Sequence, residues 1–331
     1  MSDLTNFNSQ LQSLVDIGAY SEGWSLYESL ESLTSRDDRL GGLCLWYQGK
    51  YEDAKIPVYK AVQRGEVDAM IDLVAIHSQL NELSEALNWI QTSQKYDLSR
   101  ETRVRILLYE SELYLKQGKS RQAIKTLKQA WVQANIIDNS VDLIAKVAQS
   151  LAAAFQSVGD DKKALEYLDK ALQKTTGFWA TILKITQAYA AIGFGDFCLA
   201  QSNLLDTQEA SEANQTVKTY HLITDGNFAV VCKKFGHASQ QFKTAIQAAD
   251  KVDNKLYQLQ SRAWASATHI AIGNLDQARA ALMPLAHLEL APPEEALLKL
   301  RQGVLHMAMN DHAAARVALE HAVSHFSTLE H

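Results

Sequence analysis

The histidines and cysteines of this sequence do not form a catalytic or metal-binding pattern. His321 and His325 are spaced to lie one helical turn apart, as a metal-binding pair would, but no carboxylate or cysteine accompanies them at suitable spacing. The cysteines Cys44, Cys198 and Cys232 are far apart in the sequence. The motifs GxxxxGK[ST], HExxH and GxSxG are missing. We therefore expect a protein that is not an enzyme, with no catalytic residues, no metal and no cofactor.

Composition narrows the class of protein further. The chain has 331 residues, 47% of them apolar, and a formal net charge of −6. A nucleic-acid binder needs a concentrated basic surface, so direct nucleic-acid binding is not expected. The first residues have neither the basic nor the apolar region of a signal peptide, and no stretch approaches ~18 consecutive apolar residues. We expect a cytoplasmic protein that does not bind a membrane.

One spacing recurs along the chain. A glycine or asparagine is followed by alanine five residues later and by apolar residues after nine and twelve, as in Gly49, Ala54, Val58 and Ala61. Glycine and asparagine readily enter the left-handed conformation that ends a helix, and the later residues share one face of the next helix. In the weakest copy, Gln241 replaces the alanine. The turn residues are Gly18, Gly49, Asn81, Gly118, Gly159, Gly195, Gly236, Gly273 and Asn310.

This spacing resembles the tetratricopeptide repeat over nearly the whole chain. Successive copies are 31 to 41 residues apart, against a family period of about 34. The resemblance implies an all-α fold, a right-handed superhelical solenoid of about nine antiparallel helix pairs. We expect a single repeat domain over residues 1–328, while residues 329–331 look like the remnant of an expression tag.

The resemblance also indicates where a partner would bind. In this family the first helices of the pairs line a concave groove, which implies a scaffold or adaptor that holds a protein or peptide. Arg105, Lys116 and Lys146 fall on neighbouring first helices, so they predict a basic groove for an acidic segment; scattered solvated charges are the alternative. The candidate groove residues are Arg39, Trp46, Arg105, Tyr109, Lys116, Lys146, Gln156 and Trp264.

Two other classes of protein remain open. One is a ligand- or peptide-sensing regulatory domain, since bacterial signalling and transcription regulators use similar helical repeats. A helix-turn-helix domain would need about three helices before the repeats, and here the frame already begins at Gly18. The other is an α/α-barrel enzyme, which would need acidic residues converging at one rim.

The last helix predicts a contact of its own. Its apolar residues, which include Leu319 and Val323, cover more than one stripe of a helical period. A single neighbouring helix cannot bury them all. We expect a homodimer through the C-terminal helices, with a further C-terminal segment or an exposed alanine-rich face as alternatives.

Overall fold

The computed structural model describes residues 10–15, 19–30, 32–138, 140–252, 254–288 and 290–328. All regular structure in these ranges is helical, so the predicted all-α repeat is confirmed. The first nine helices are α1 (residues 10–15), α2 (Tyr20–Ser29), α3 (Ser35–Tyr47), α4 (Tyr51–Gln63), α5 (Asp68–Gln79), α6 (Leu83–Ser93), α7 (Arg100–Lys116), α8 (Ser120–Ala134) and α9 (Val141–Gln156). The others are α10 (Asp161–Leu172), α11 (Gly177–Phe194), α12 (Phe197–Ser211), α13 (Gln215–Val231), α14 (Phe235–Val252), α15 (Lys255–Ala271), α16 (Leu275–Leu282), α17 (Pro292–Ala308) and α18 (His312–Thr328).

The chain divides into two compact units, Met1–Leu113 and Tyr114–His331. The boundary lies within α7. The single repeat domain over residues 1–328 stays a prediction, and residues 329–331 lie outside the described part. None of the described helices is both long and apolar enough to cross a membrane.

The helix pairs are closed by one type of turn. In the α3–α4 turn Gly49 has a φ of 76°, its N–H donates to the carbonyl of Trp46, and the N–H of Lys50 donates to that of Leu45. These are the two hydrogen bonds of a Schellman motif, which satisfies the last carbonyls of the first helix. The other predicted turn residues that share a positive φ are Asn81, Gly118, Gly159, Gly195, Gly273 and Asn310.

The α13–α14 turn differs from the sequence prediction. The left-handed residue is Lys233, with a φ of 58°, and not Gly236, which lies inside α14. Five residues after Lys233 comes Ala238, and nine residues after it comes Phe242; both are fully buried. The repeat frame is therefore intact but begins three residues earlier, and Gln241 does not occupy the alanine position.

The two helices of a pair cross where a small residue meets a large one. The small residue lies seven positions before the turn and the large one nine positions after it. A Cβ atom added to Gly42 would lie 2.2 Å from Val58 Cγ2, and one added to Gly226 would lie 2.6 Å from Phe242 Cε1. In the last pair, Gly303 meets Leu319 in the same way. Close approach of the helices thus depends on glycine at these three crossings.

Candidate functional site

In the first unit, the predicted groove residue Arg39 is already paired. Its Nε donates to Oδ2 of Asp72 at 2.5 Å, and its Nη1 donates to Oδ2 of Asp68 at 3.4 Å. Burial raises the pKa of the Asp72 carboxyl, although the Arg39 charge opposes that shift. Arg39 therefore links α3 to α5 and is engaged within the protein.

The other predicted groove residues of the first unit, Arg105, Tyr109 and Trp46, have both acidic and basic side chains around them or no polar partner at all. Nη2 of Arg105 donates to Oε1 of Glu101 at 2.7 Å, one turn earlier on α7. Burial raises the pKa of the Tyr109 phenol, and the charge of Asp72 adds to this effect. The indole Nε1 of Trp46 is buried and has no acceptor among the described residues. The carboxylates of Glu101 and Asp72 thus lie near the predicted groove residues Arg105 and Tyr109.

In the second unit, Lys146 is held on α9. Its Nζ lies 3.9 Å from Oδ2 of Asp142 and 5.4 Å from the ring centroid of Trp179. Lys116 and Gln156 are half-buried near the ends of α7 and α9. The predicted basic groove would need Arg105 of the first unit beside Lys116 and Lys146 of the second, and it stays a prediction.

A cluster of large side chains lies on the first helices of the second unit. The helices α11, α13, α15 and α17 pack side by side in this order. We call the following five residues the aromatic face: Tyr189 on α11, Tyr220 on α13, Tyr257 and Trp264 on α15, and Arg301 on α17. All five are half-buried.

One ring stack, one cation–π contact and one electrostatic interaction hold the aromatic face together. The rings of Tyr220 and Tyr257 are stacked, with centroids 6.1 Å apart and an interplanar angle of 9°. The guanidinium carbon of Arg301 lies 4.7 Å from the ring centroid of Trp264. Tyr189 and Arg301 act on each other electrostatically, although α13 and α15 lie between their helices. The side chains of the four helices therefore converge on one side of this layer.

Burial raises the pKa of each phenol of the aromatic face above the ordinary value for tyrosine. It raises the pKa of Tyr220 and raises that of Tyr257 to about 12. Burial also raises the pKa of Tyr189, where the Asp161 charge adds to the shift and the Arg301 charge opposes it. Near neutral pH the aromatic face offers ring surface and phenol hydroxyls, with Arg301 as its cation.

Only Trp264 of the aromatic face is among the predicted groove residues. The repeat frame nevertheless gives Arg301 a position equivalent to that of Trp264. Trp264 lies nine positions before the turn residue Gly273, and Arg301 lies nine positions before Asn310. The predicted Tyr109 has this same position relative to its own turn. The same position holds Asp72, Ser150 and Thr186 in other repeats, so it places Arg301 level with Trp264 on the first helices but does not mark it as a binding residue.

The C-terminal helices leave part of their apolar surface uncovered. Val323 and Val317 of α18 are 64% and 65% exposed, beside the half-exposed Met307 of α17. Leu319 is only half-buried, and it packs on Gly303 within its own helix pair. Self-association through Leu319 and Val323 stays a prediction.

In the described residues no group of three or more His, Cys, Asp or Glu side chains is arranged to hold a metal ion.

Comparison with known proteins identifies the fold. No family model matches the sequence, and no curated protein is similar to it. The Rap conjugation gene regulator of plasmid pLS20, in complex with the Phr* peptide, is 10% identical, with a TM-score of 0.65 over 98% of this chain and 93% of that one. A Rap protein complexed with Competence and Sporulation Factor is 11% identical, with a TM-score of 0.64 over 98% and 87%. A tetratricopeptide repeat protein from Parabacteroides merdae ATCC 43184 is 12% identical, with a TM-score of 0.52 over 80% and 97%. The predicted tetratricopeptide-type repeat is thereby confirmed as the fold.

Proposed function

We propose that this chain is a scaffold or adaptor that binds a protein or peptide segment on the aromatic face. The observation that carries the proposal is the convergence of Tyr189, Tyr220, Tyr257, Trp264 and Arg301 from four first helices. Tyrosine, tryptophan and arginine are the residue types that dominate binding energy at protein interfaces. They combine large apolar contact area with polar tips and few rotatable bonds.

The electrostatics of the aromatic face suit a peptide backbone. The phenols of Tyr189, Tyr220 and Tyr257 are neutral near pH 7, since the ordinary pKa of tyrosine is about 10 and burial raises it further. Each hydroxyl can both donate and accept a hydrogen bond, as a peptide requires. The helices that carry these residues are anchored by the repeat frame, so a partner would meet a preorganised surface and lose less entropy on binding.

A second candidate is a peptide-sensing regulatory protein. The observation that favours it is the likeness of 98% of this chain to the Rap conjugation gene regulator that was solved with the Phr* peptide. Both candidates require peptide binding. They differ in what binding does to the rest of the chain, because a sensor must favour one of two conformations when its ligand binds.

Peptide display on the purified chain tests the proposal. We expect a subset of random-sequence peptides to be enriched, and we expect Trp264→Ala to weaken their binding by about tenfold or more. The matched control is Phe194→Ala, which removes a ring from the end of α11 that is 55% exposed and outside the aromatic face. Circular dichroism establishes that both variants remain folded.

Two results would contradict the proposal. One is that no peptide is enriched over an unrelated helical protein. The other is that enriched peptides bind the Trp264→Ala and Phe194→Ala variants equally well. To separate the two candidates, hydrogen exchange is compared with and without peptide: a scaffold should show protection at α11–α17, and a regulator should also change in distant helices.

A further inference from the structure

Arg301 lacks the acidic partner that comparable arginines have. Three described arginines are half-buried: Arg39, Arg262 and Arg301. Arg39 pairs with Asp72, and Nη2 of Arg262 donates to both carboxylate oxygens of Asp250, at 3.0 and 2.8 Å. Arg301 forms no ion pair with any described residue, and its buried Nε has no hydrogen-bond partner there.

An unpaired guanidinium is costly in this position. Removing a charge from water is unfavourable unless a partner or hydrogen bonds replace the lost solvent. Stacking on Trp264 offsets only part of that cost. Burial lowers the pKa of Arg301, which has the same physical meaning: the charged form is less stable here than in water. Asp161 acts on Tyr189 electrostatically but forms no ion pair with Arg301.

A second unpaired polar group lies in the same layer of helices. Asn227 of α13 is 4% exposed, and neither its amide oxygen nor its amide nitrogen has a hydrogen-bond partner among the described residues. It follows Tyr220 by seven residues, so the two lie on the same side of α13. Buried polar groups in folded proteins are normally satisfied. Arg301 and Asn227 are thus two polar groups of this layer whose hydrogen-bonding capacity no described residue fully satisfies.

We infer that Arg301 receives a carboxylate of the peptide that the aromatic face binds. This inference rests on the proposed function and specifies the chemistry of its ligand. The guanidinium carbon lies over the ring of Trp264, and a carboxylate that approaches the two Nη atoms within the guanidinium plane forms paired hydrogen bonds with them. The chain as a whole has a net charge of −6, so recognition of an acid depends on this local contact.

The first test needs no ligand. If Arg301 is held for binding, Arg301→Met should raise the melting temperature of the free protein by about 2–4 °C, because an uncompensated charge is removed. The matched control Arg262→Met should lower the melting temperature, because it leaves Asp250 without its partner. Should Arg301→Met destabilise the protein as Arg262→Met does, Arg301 is a structural residue and the inference is overturned.

The second test measures ligand preference. Random peptide pools with one fixed Glu are compared with pools in which Gln takes its place, each with an amidated or a free C-terminus. Wild type should bind an acidic pool about tenfold more tightly than its neutral counterpart, and Arg301→Met should remove this preference. A preference among amidated pools identifies a side-chain carboxylate, and a preference for free C-termini identifies the terminal one.

The outcomes separate the inference from the proposed function. If wild type binds acidic and neutral pools equally, and Trp264→Ala weakens both, the scaffold function stands and the Arg301 inference fails. The inference also fails if an acidic preference persists in Arg301→Met. If no pool binds the wild-type chain, the proposed function fails and the inference falls with it.

Discussion

Replacing Gly226 by alanine tests how the helix pairs are held together. The added Cβ would lie 2.6 Å from Cε1 and 2.7 Å from Cζ of Phe242, whereas carbon atoms pack at ~3.5–4.0 Å. Phe242 is fully buried, so its ring must displace its neighbours by about 1 Å. Overpacking of this kind costs ~1–3 kcal/mol, and alanine in a helix interior regains ~1 kcal/mol relative to glycine. We expect a net loss of about 1 kcal/mol in the free energy of unfolding.

Two substitutions, one in the turn before α14 and one inside α14, are the controls. An added Cβ at Gly236 has no atom within 4 Å, so Gly236→Ala should stabilise α14 by up to ~1 kcal/mol. Lys233 has a φ of 58°, which costs a residue with a side chain ~1–2 kcal/mol, so Lys233→Gly should also stabilise the protein. If Gly236 were the turn residue, as the sequence suggests, alanine there would be destabilising.

Urea unfolding followed by circular dichroism gives the stability differences. Amide exchange in α13 and α14 shows whether the effect is local, as expected for repeats that contact mainly their neighbours. In the Gly226→Ala background, Phe242→Leu should recover part of the loss because the smaller side chain makes room for the methyl group. A Gly226→Ala variant as stable as Gly236→Ala would refute the crossing geometry.

Three further predictions concern other parts of the chain. Glu82 accepts hydrogen bonds from Lys55 and His77, and these bonds, above all the one from Lys55, hold its pKa below the ordinary value. Glu82→Gln should therefore destabilise the protein near neutral pH. In an acid-unfolding titration, the stability difference from wild type should vanish as the pH falls through this lowered pKa. If the C-terminal helices self-associate, Val323→Glu should reduce the molar mass measured by light scattering, whereas a monomeric wild type above micromolar concentration would exclude that contact. If Lys146 contributes to a basic groove, Lys146→Glu should weaken the binding of an acidic peptide and reduce the salt dependence of that binding. Unchanged affinity in a binding titration would show that Lys146 is a solvated surface charge.

The fold was accessible from the sequence because each repeat carries its own local signals. Left-handed turn residues and small residues at helix crossings act within about 16 positions of one another, so spacing alone reveals them. The error at Gly236 has a clear cause. Lysine rarely occupies the left-handed region, so the glycine of the sequence, Gly236, was the predicted turn residue, whereas Lys233 has the positive φ.

The candidate site was only partly accessible, because its properties depend on distant residues. Trp264 could be predicted as a large aromatic residue on a first helix. The engagement of Arg39 could not, since its partner Asp72 lies 33 positions along the chain. The unpaired state of Arg301 is a property of its surroundings, which only the packing of α11, α13, α15 and α17 defines.

Fluorine NMR of the chain labelled with 5-fluorotryptophan tests peptide binding on the aromatic face most directly. The sequence has six tryptophans, so single Trp→Phe variants assign each resonance. On titration with a display-selected peptide, the account predicts a large shift at Trp264, which stacks on Arg301, and no shift at Trp131, which packs on Tyr167 of α10. A saturable interaction that leaves the Trp264 resonance unchanged would contradict the account.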